Sequence, residues 1–300
     1  CYVVVSELAK NTTGKKKIVV AGILATLMAG QAVQVEAAAV KTNSTKTGNI
    51  LIWGATGSAA SGNYENAIAI GQDTEVFNRG GIAIGDSAKS AGNSFAAGWA
   101  AEARGGSATA VGSHAIASGS NTFAGGWGAT ASGDYSVATG YNSRASESSA
   151  VAIGNAANAS KSDAIAVGTS AAASESSATA IGNGASASKS DAIAMGTSAA
   201  ASESSAIAIG KSSQAVKNKS IAIGENATAN DTAGIAIGAG NTATGWGATA
   251  IGKNVQVTRE RSIGLGWDVT VDQSGSTLVG YNSQVHANQG TGLGSTINIT

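Results

Sequence analysis

The sequence predicts an all-β protein, a narrow parallel β-roll (a β-solenoid) with 14 residues per coil. Three observations predict it. A glycine recurs every 14 residues from Gly71 to Gly294, with one step, Gly85 to Gly98, a residue short. The residues before each glycine alternate, as in Ala206-Ile207-Ala208-Ile209, which is the period of a strand. The composition excludes a thick core, because Gly is 42 of 300 residues, aromatics are 4% and charged residues 12%. Such a chain needs an interior built from small side chains. Disorder goes with high net charge or many prolines. Here 18 basic residues balance 18 acidic ones and Pro is absent. The same balance leaves no electrostatic footprint for nucleic acid.

Taken in order, residues 1–39 read as a targeting region. Lys15, Lys16 and Lys17 precede an apolar run over residues 18–29, too short to span a bilayer, and then Ala37, Ala38 and Ala39. That is a basic segment, an apolar segment and a small-residue cleavage site. Residues 40–49 read as a linker and 50–300 as the β-roll. The single cysteine, Cys1, lies upstream of the cleavage point. The mature chain then has no thiol for a disulfide, a metal site or a nucleophile.

The array starts with Ile50-Leu51-Ile52-Trp53-Gly54, 17 residues before Gly71. With each repeat glycine as position zero, positions 11 and 13 are mostly Ile or Val, and positions 3, 5 and 12 mostly Ala. A 14-residue coil holds two short strands and two tight turns. The glycines, among them Gly154, Gly168, Gly182, Gly196, Gly210 and Gly224, fit the first turn with positive φ. Ser-Gly at positions 6 and 7, as in Ser118-Gly119 and Ser132-Gly133, fits the second. The stretch between Gly71 and Gly81, with Glu75, Phe77 and Arg79, departs from the pattern and is expected to bulge.

Two strands closing on each other leave a thin interior, which Ala at positions 3, 5 and 12 fills. Positions 11 and 13 then point outward. They carry Ile68, Ile70, Ile82, Ile84, Val151, Ile153, Ile165, Val167, Ile193, Met195, Ile207, Ile209, Ile221, Ile223, Ile235 and Ile237. Coils advance about 4.8 Å each, so this row makes an apolar ribbon roughly 80 Å long. Soluble monomers do not expose patches of that size. The ribbon is expected to be covered by further copies of the chain. The opposite facing, with Ile and Val inward, leaves an Ala-rich exterior unexplained.

Position 7 carries Glu147, Lys161, Glu175, Lys189, Glu203, Lys217 and Asp231, with strictly alternating sign. Stacked coils place these at one strand spacing, where a slip by one coil sets like charge against like. Residues 155–182 and 183–210 are near-identical, so part of the array arose by duplicating coil pairs. Toward the end, positions 3 and 5 become Val255, Val257, Val269, Val271 and Val285, while Gly264 and Gly292 at position 12 offset the volume. Leu278 breaks that trade. The sequence stops at Thr300, partway into a coil, as a piece of a longer protein would.

Ser149-Ala150-Val151-Ala152-Ile153-Gly154 and Ser220-Ile221-Ala222-Ile223-Gly224 resemble the repeat of YadA-like heads of trimeric autotransporter adhesins. Val3-Val4-Val5-Ser6-Glu7-Leu8-Ala9-Lys10 resembles the extended signal region of that family. The resemblance implies a left-handed parallel β-roll, a homotrimer and export to the outer membrane surface of a Gram-negative bacterium. It further implies attachment to host matrix proteins, cell-surface receptors or other bacteria, through an anchor outside this sequence. A spacer or autoagglutination module with no specific host ligand is the other reading.

Enzymatic rivals find little support. His114 and His286 do not recur in neighbouring coils, and no carboxylate pair recurs outside the charge ladder. The period of six in hexapeptide acyltransferases does not divide 14, and the glycine-rich calcium-binding nonapeptide is absent. No catalytic residue, metal or cofactor is expected. Trp99, Trp127 and Trp267 at position 1, and Trp246 at position 8, are candidate contact residues or packing over a coil edge.

Overall fold

The computed structural model describes residues 40–41, 50–52, 59–60 and 66–300. The targeting region lies outside the described residues. Of the linker, Val40–Lys41 forms a strand that pairs antiparallel with Ile50–Ile52. Ile50–Ile52 pairs in parallel with Ile68–Ile70.

The described residues form an all-β parallel solenoid of about 17 turns with coils of about 14 residues. Each coil holds a three-residue strand at positions 11–13, such as Ile207–Ile209, and a two-residue strand at positions 4–5, such as Gln214–Ala215. Each strand pairs in register with its equivalent one coil on, so Ile207, Ala208 and Ile209 stand beside Ile221, Ala222 and Ile223. From Thr249 onward the strands at positions 11–13 lengthen, and Ile263–Val271 and Thr277–Val285 run through the first turn without a break.

The interior is narrower in chemistry than in length. Ala at positions 3, 5 and 12 is fully buried, as in Ala157, Ala159 and Ala166. Position 10 is buried as well, in Ala150, Ala164, Ser220 and Ser262 among others. Positions 3 and 10 lie next to the turns, and there a hydroxyl finds a turn carbonyl. Ser143 Oγ donates to Gly140 O at 3.1 Å, Thr122 Oγ1 to Gly119 O at 2.8 Å and Ser220 Oγ to Lys217 O at 2.6 Å. These bonds pair buried polar groups as expected, and the Ser136 hydroxyl, also at position 10, is an exception with no partner among the described residues. Asn241 at position 3 does more. Its Nδ2 donates to Ile237 O and Gly252 O, and its Oδ1 accepts from Val255 N, at the point where the long strands begin.

The second turn begins at position 7, directly after the Ser of the Ser118-Gly119 and Ser132-Gly133 pairs. Its left-handed residue is position 9, not position 7, and it is rarely glycine: Ser149, Asp163, Ser177 and Lys219 all have φ near +57° to +59°. The first turn repeats this at position 2, in Ala156 and Ser170. In this conformation the amide points along the stack. Ser149 N donates to Asp134 O in the preceding coil at 2.8 Å, and Ala156 N to Tyr141 O at 2.8 Å. Axial hydrogen bonding, not residue type, fixes these positions.

The expected bulge between Gly71 and Gly81 does not form, since Glu75–Val76 pairs in register with Lys89–Ser90. Gly81 there makes room for Val76, whose Cγ1 lies 2.7 Å from where a Cβ would stand. The irregularity belongs to the next coil. Lys89 and Glu102 remain paired, so the short step removes one residue from the second turn. Ser90 and Ser94 close the gap, with hydroxyls 2.9 Å apart and Ser94 Oγ 3.0 Å from Ala91 O.

Candidate interaction surfaces

The coil cross-section defines two faces and two edges. Positions 11 and 13 form one face, and the side chains of the row Ile68 to Ile237 stand out from the backbone with buried alanines between them. Ile153 is 41% and Met195 38% exposed in the single chain. The row is mostly apolar, with Thr109, Gly125, Thr139 and Thr179 as interruptions, and is wholly apolar from Ile193 to Ile237. Position 4 forms the opposite face, where Asn158, Ser186, Gln214, Thr228 and Gln256 are polar. The solenoid is therefore amphipathic across its thickness.

On the second-turn edge the charge ladder runs up successive coils. Among the described residues, only its Glu147–Lys161 rung closes into an ion pair, with Lys161 Nζ donating to Glu147 Oε1 at 2.9 Å. That hydrogen bond holds the Glu147 carboxyl below its ordinary value and raises the Lys161 ammonium above its own. Glu175 on the far side also raises Lys161 by its charge. Further opposite pairs cross adjacent coils elsewhere, with Lys89 3.5 Å from Glu75 and Lys211 3.3 Å from Glu225.

The first-turn edge gathers aromatic residues. Trp99, His114, Trp127 and Tyr141 form one ladder, with ring centroids 4.4, 5.9 and 4.9 Å apart in succession. Trp127 and Tyr141 are stacked at 11°. A second ladder joins Lys253, Trp267 and Tyr281. Trp246 lies on the other edge, with the Arg261 guanidinium over its ring, 5.3 Å from the centroid. Sequence reasoning found the tryptophans but missed their partners. The signal was present, since Tyr141 and Tyr281 each follow a tryptophan by one repeat.

His286 bridges Asp272 Oδ2 at 2.6 Å and Gln284 Oε1 at 3.0 Å, in the open. Among the described residues no group of three or more His, Cys, Asp or Glu is placed to hold a metal ion. No helix among them is long and apolar enough to cross a membrane.

An amphipathic solenoid of small-residue coils, with decorated edges, is a repeat scaffold of the kind that displays surface. The chain belongs to the YadA head domain repeat family. The model of that repeat matches residues 65–88 and, in overlapping copies, 103–213 and 215–254, more than half of the chain. Such repeats are typical of adhesin-type surface modules rather than enzymes. Comparison with curated proteins returns no match.

Proposed function

We propose that this chain is the head of a trimeric adhesin held at the outer membrane surface of a Gram-negative bacterium. Three copies pack their apolar faces together, and the polar faces and turn edges meet host matrix, host cells or other bacteria. One observation carries this reading: the outward row at positions 11 and 13, mostly Ile and Val and unbroken by a polar residue from Ile193 to Ile237, in a chain of this family. A face of that length demands a cover, and a homotrimer supplies three identical strips. Sedimentation equilibrium of the purified protein tests the assembly. A trimer is expected, and a soluble folded monomer overturns it.

Attachment follows from display. Weak contacts repeated along three chains add by effective concentration. Binding to a panel of matrix proteins and cells, with and without residues 155–210, tests this. A graded loss on deletion supports repeated contacts; an all-or-none result assigns binding to one compact site. The spacer reading draws on the same block, whose polar-face residues Asn158, Ala172, Ser186 and Ala200 are small. It predicts no binding to any panel member.

A further inference from the structure

The second-turn edge changes character in the coil that starts at Gly238. Position 8 there is Trp246, where the neighbouring coils have Asn218, Thr232, Glu260 and Ser274. Position 7, which carries charge up to Asp231, is Gly245 in this coil and Arg259 in the next. One rung of the ladder is missing. It is kept bare by close approach, because a Cβ on Gly245 would stand 2.1 Å from the Arg259 carbonyl carbon. The gap is a notch of about 400 Å³, lined by Asp231, Thr244, Trp246, Thr258, Arg259 and Glu260, with others. Trp246 is 48% exposed beside it.

We propose that this notch binds one neutral pyranose ring, the terminal sugar of a glycan. Arg261 lies over one face of the Trp246 ring and is not part of the notch lining, so the other face is the one proposed to take the weakly positive C–H face of a sugar, by the same quadrupole attraction that draws cations. The lining matches sugar hydroxyls, which both donate and accept. Carboxylates of Asp231 and Glu260 accept, Arg259 donates, and the threonine hydroxyls do either. Charge selects a neutral ligand, since Arg259 and Arg261 balance Asp231 and Glu260. The volume is at the small end of ligand sites, roughly 300–1,000 Å³, which suits a terminal ring. The lining residues occupy positions 6 to 8, and none comes from positions 10 to 13. The notch therefore stays open when the apolar face is covered.

The inference rests on the adhesive reading, for which it names a ligand class. Saturation-transfer NMR of the purified protein with methyl glucopyranosides, galactopyranosides and mannopyranosides tests it. The site lies within one chain, so its result does not depend on the sedimentation or matrix-panel outcome. At least one glycoside is expected to show saturable binding, with a dissociation constant on the order of 1–10 mM. Trp246→Ala is expected to weaken it at least tenfold, Trp246→Phe less, and Asp231→Asn several-fold, while Trp99→Ala leaves it unchanged. Circular dichroism confirms that each variant is folded. No saturable binding by any glycoside, or equal binding by Trp246→Ala, overturns the proposal. Preference for a uronic acid over its neutral counterpart overturns the charge assignment. The selected sugar is then presented on a glycoprotein and on a glycolipid vesicle to distinguish its source. Capture in either arm should be competed by the free methyl glycoside, and capture that is not competed overturns the site.

Discussion

The carbonyl oxygen of Gly168 lies 2.5 Å from the point where a Cβ on Gly154 would stand. The same relation links each repeat glycine from Gly140 to Gly224 to the glycine one coil on, at 2.5–2.6 Å. Gly154 also has φ +132°, outside the range of other residues. Two independent causes thus require glycine at position zero. Gly154→Ala should cost roughly 2–5 kcal/mol in urea unfolding, from backbone strain and overpacking together. Gly106 is the control, since a Cβ there meets nothing within 4 Å. Gly106→Ala should stay within about 0.5 kcal/mol of the parent.

The two faces of one strand should respond differently. Ala166 is fully buried and Ile165 is 36% exposed, one residue apart. Ala166→Val should lower stability by about 1–3 kcal/mol by overpacking the interior. Ile207→Ser with Ile209→Ser removes no interior contact. In sedimentation equilibrium it should shift the trimer toward monomer while circular dichroism still shows β-structure. A trimer as tight as the parent's would assign the assembly to another surface.

The sequence made the repeat legible because its interior is nearly monotonous. Alanine at positions 3, 5 and 12 left one facing that explained both strands, and the structure has that facing. Position 10 was not legible. Ser220 and Ser262 look like surface residues, and only their place beside a turn carbonyl makes them interior. The left-handed position of the second turn was not legible for a related reason. Its left-handed residue is chosen by the axial amide bond, and Asp163, Lys219 and Tyr135 fill it with no common composition. The edges follow the same lesson. Trp127 alone is ambiguous, and it becomes a ladder only when Tyr141 and His114 are stacked beside it.

The Glu147–Lys161 rung gives a pH signature with two limbs. Glu147 is held below its ordinary 4.5, so its contribution is present above that value and lost as pH falls through the depressed one. Lys161 is raised above 10.5, so its contribution is full below that value and lost as pH rises through the raised one. The rung therefore stabilises between these limits. Both groups are exposed and screened, so the effect is small. Glu147→Gln should lower the thermal midpoint slightly at neutral pH and match the parent at strongly acid pH. The difference should also shrink in about 1 M salt, where the Debye length is roughly 3 Å. Lys161→Glu should lower the midpoint more than Lys161→Gln, because it sets like charges in three successive coils. Equal midpoints for these two would remove the register role.

Leu278 is the largest fully buried side chain among the described residues, at a position that holds alanine in the coils from Ala69 to Ala250. The volume trade that fails along its own coil succeeds along the stack. Gly264 stands one coil below it and Gly292 one coil above, at the paired register positions. A Cβ on Gly292 would stand 2.8 Å from Leu278 Cδ1. On Gly264 it would stand 2.8 Å from Val255 Cγ1 and Val257 Cγ2. Large and bare residues thus alternate by coil. Leu278→Ala should cost about 2–5 kcal/mol by opening a cavity, and Gly292→Ala about 1–3 kcal/mol by overpacking. The double substitution should cost less than the sum, because the methyl of one enters the space left by the other. A coupling of roughly 0.5–3 kcal/mol in a double-mutant cycle is expected. Additive losses would show that the two residues do not share one space.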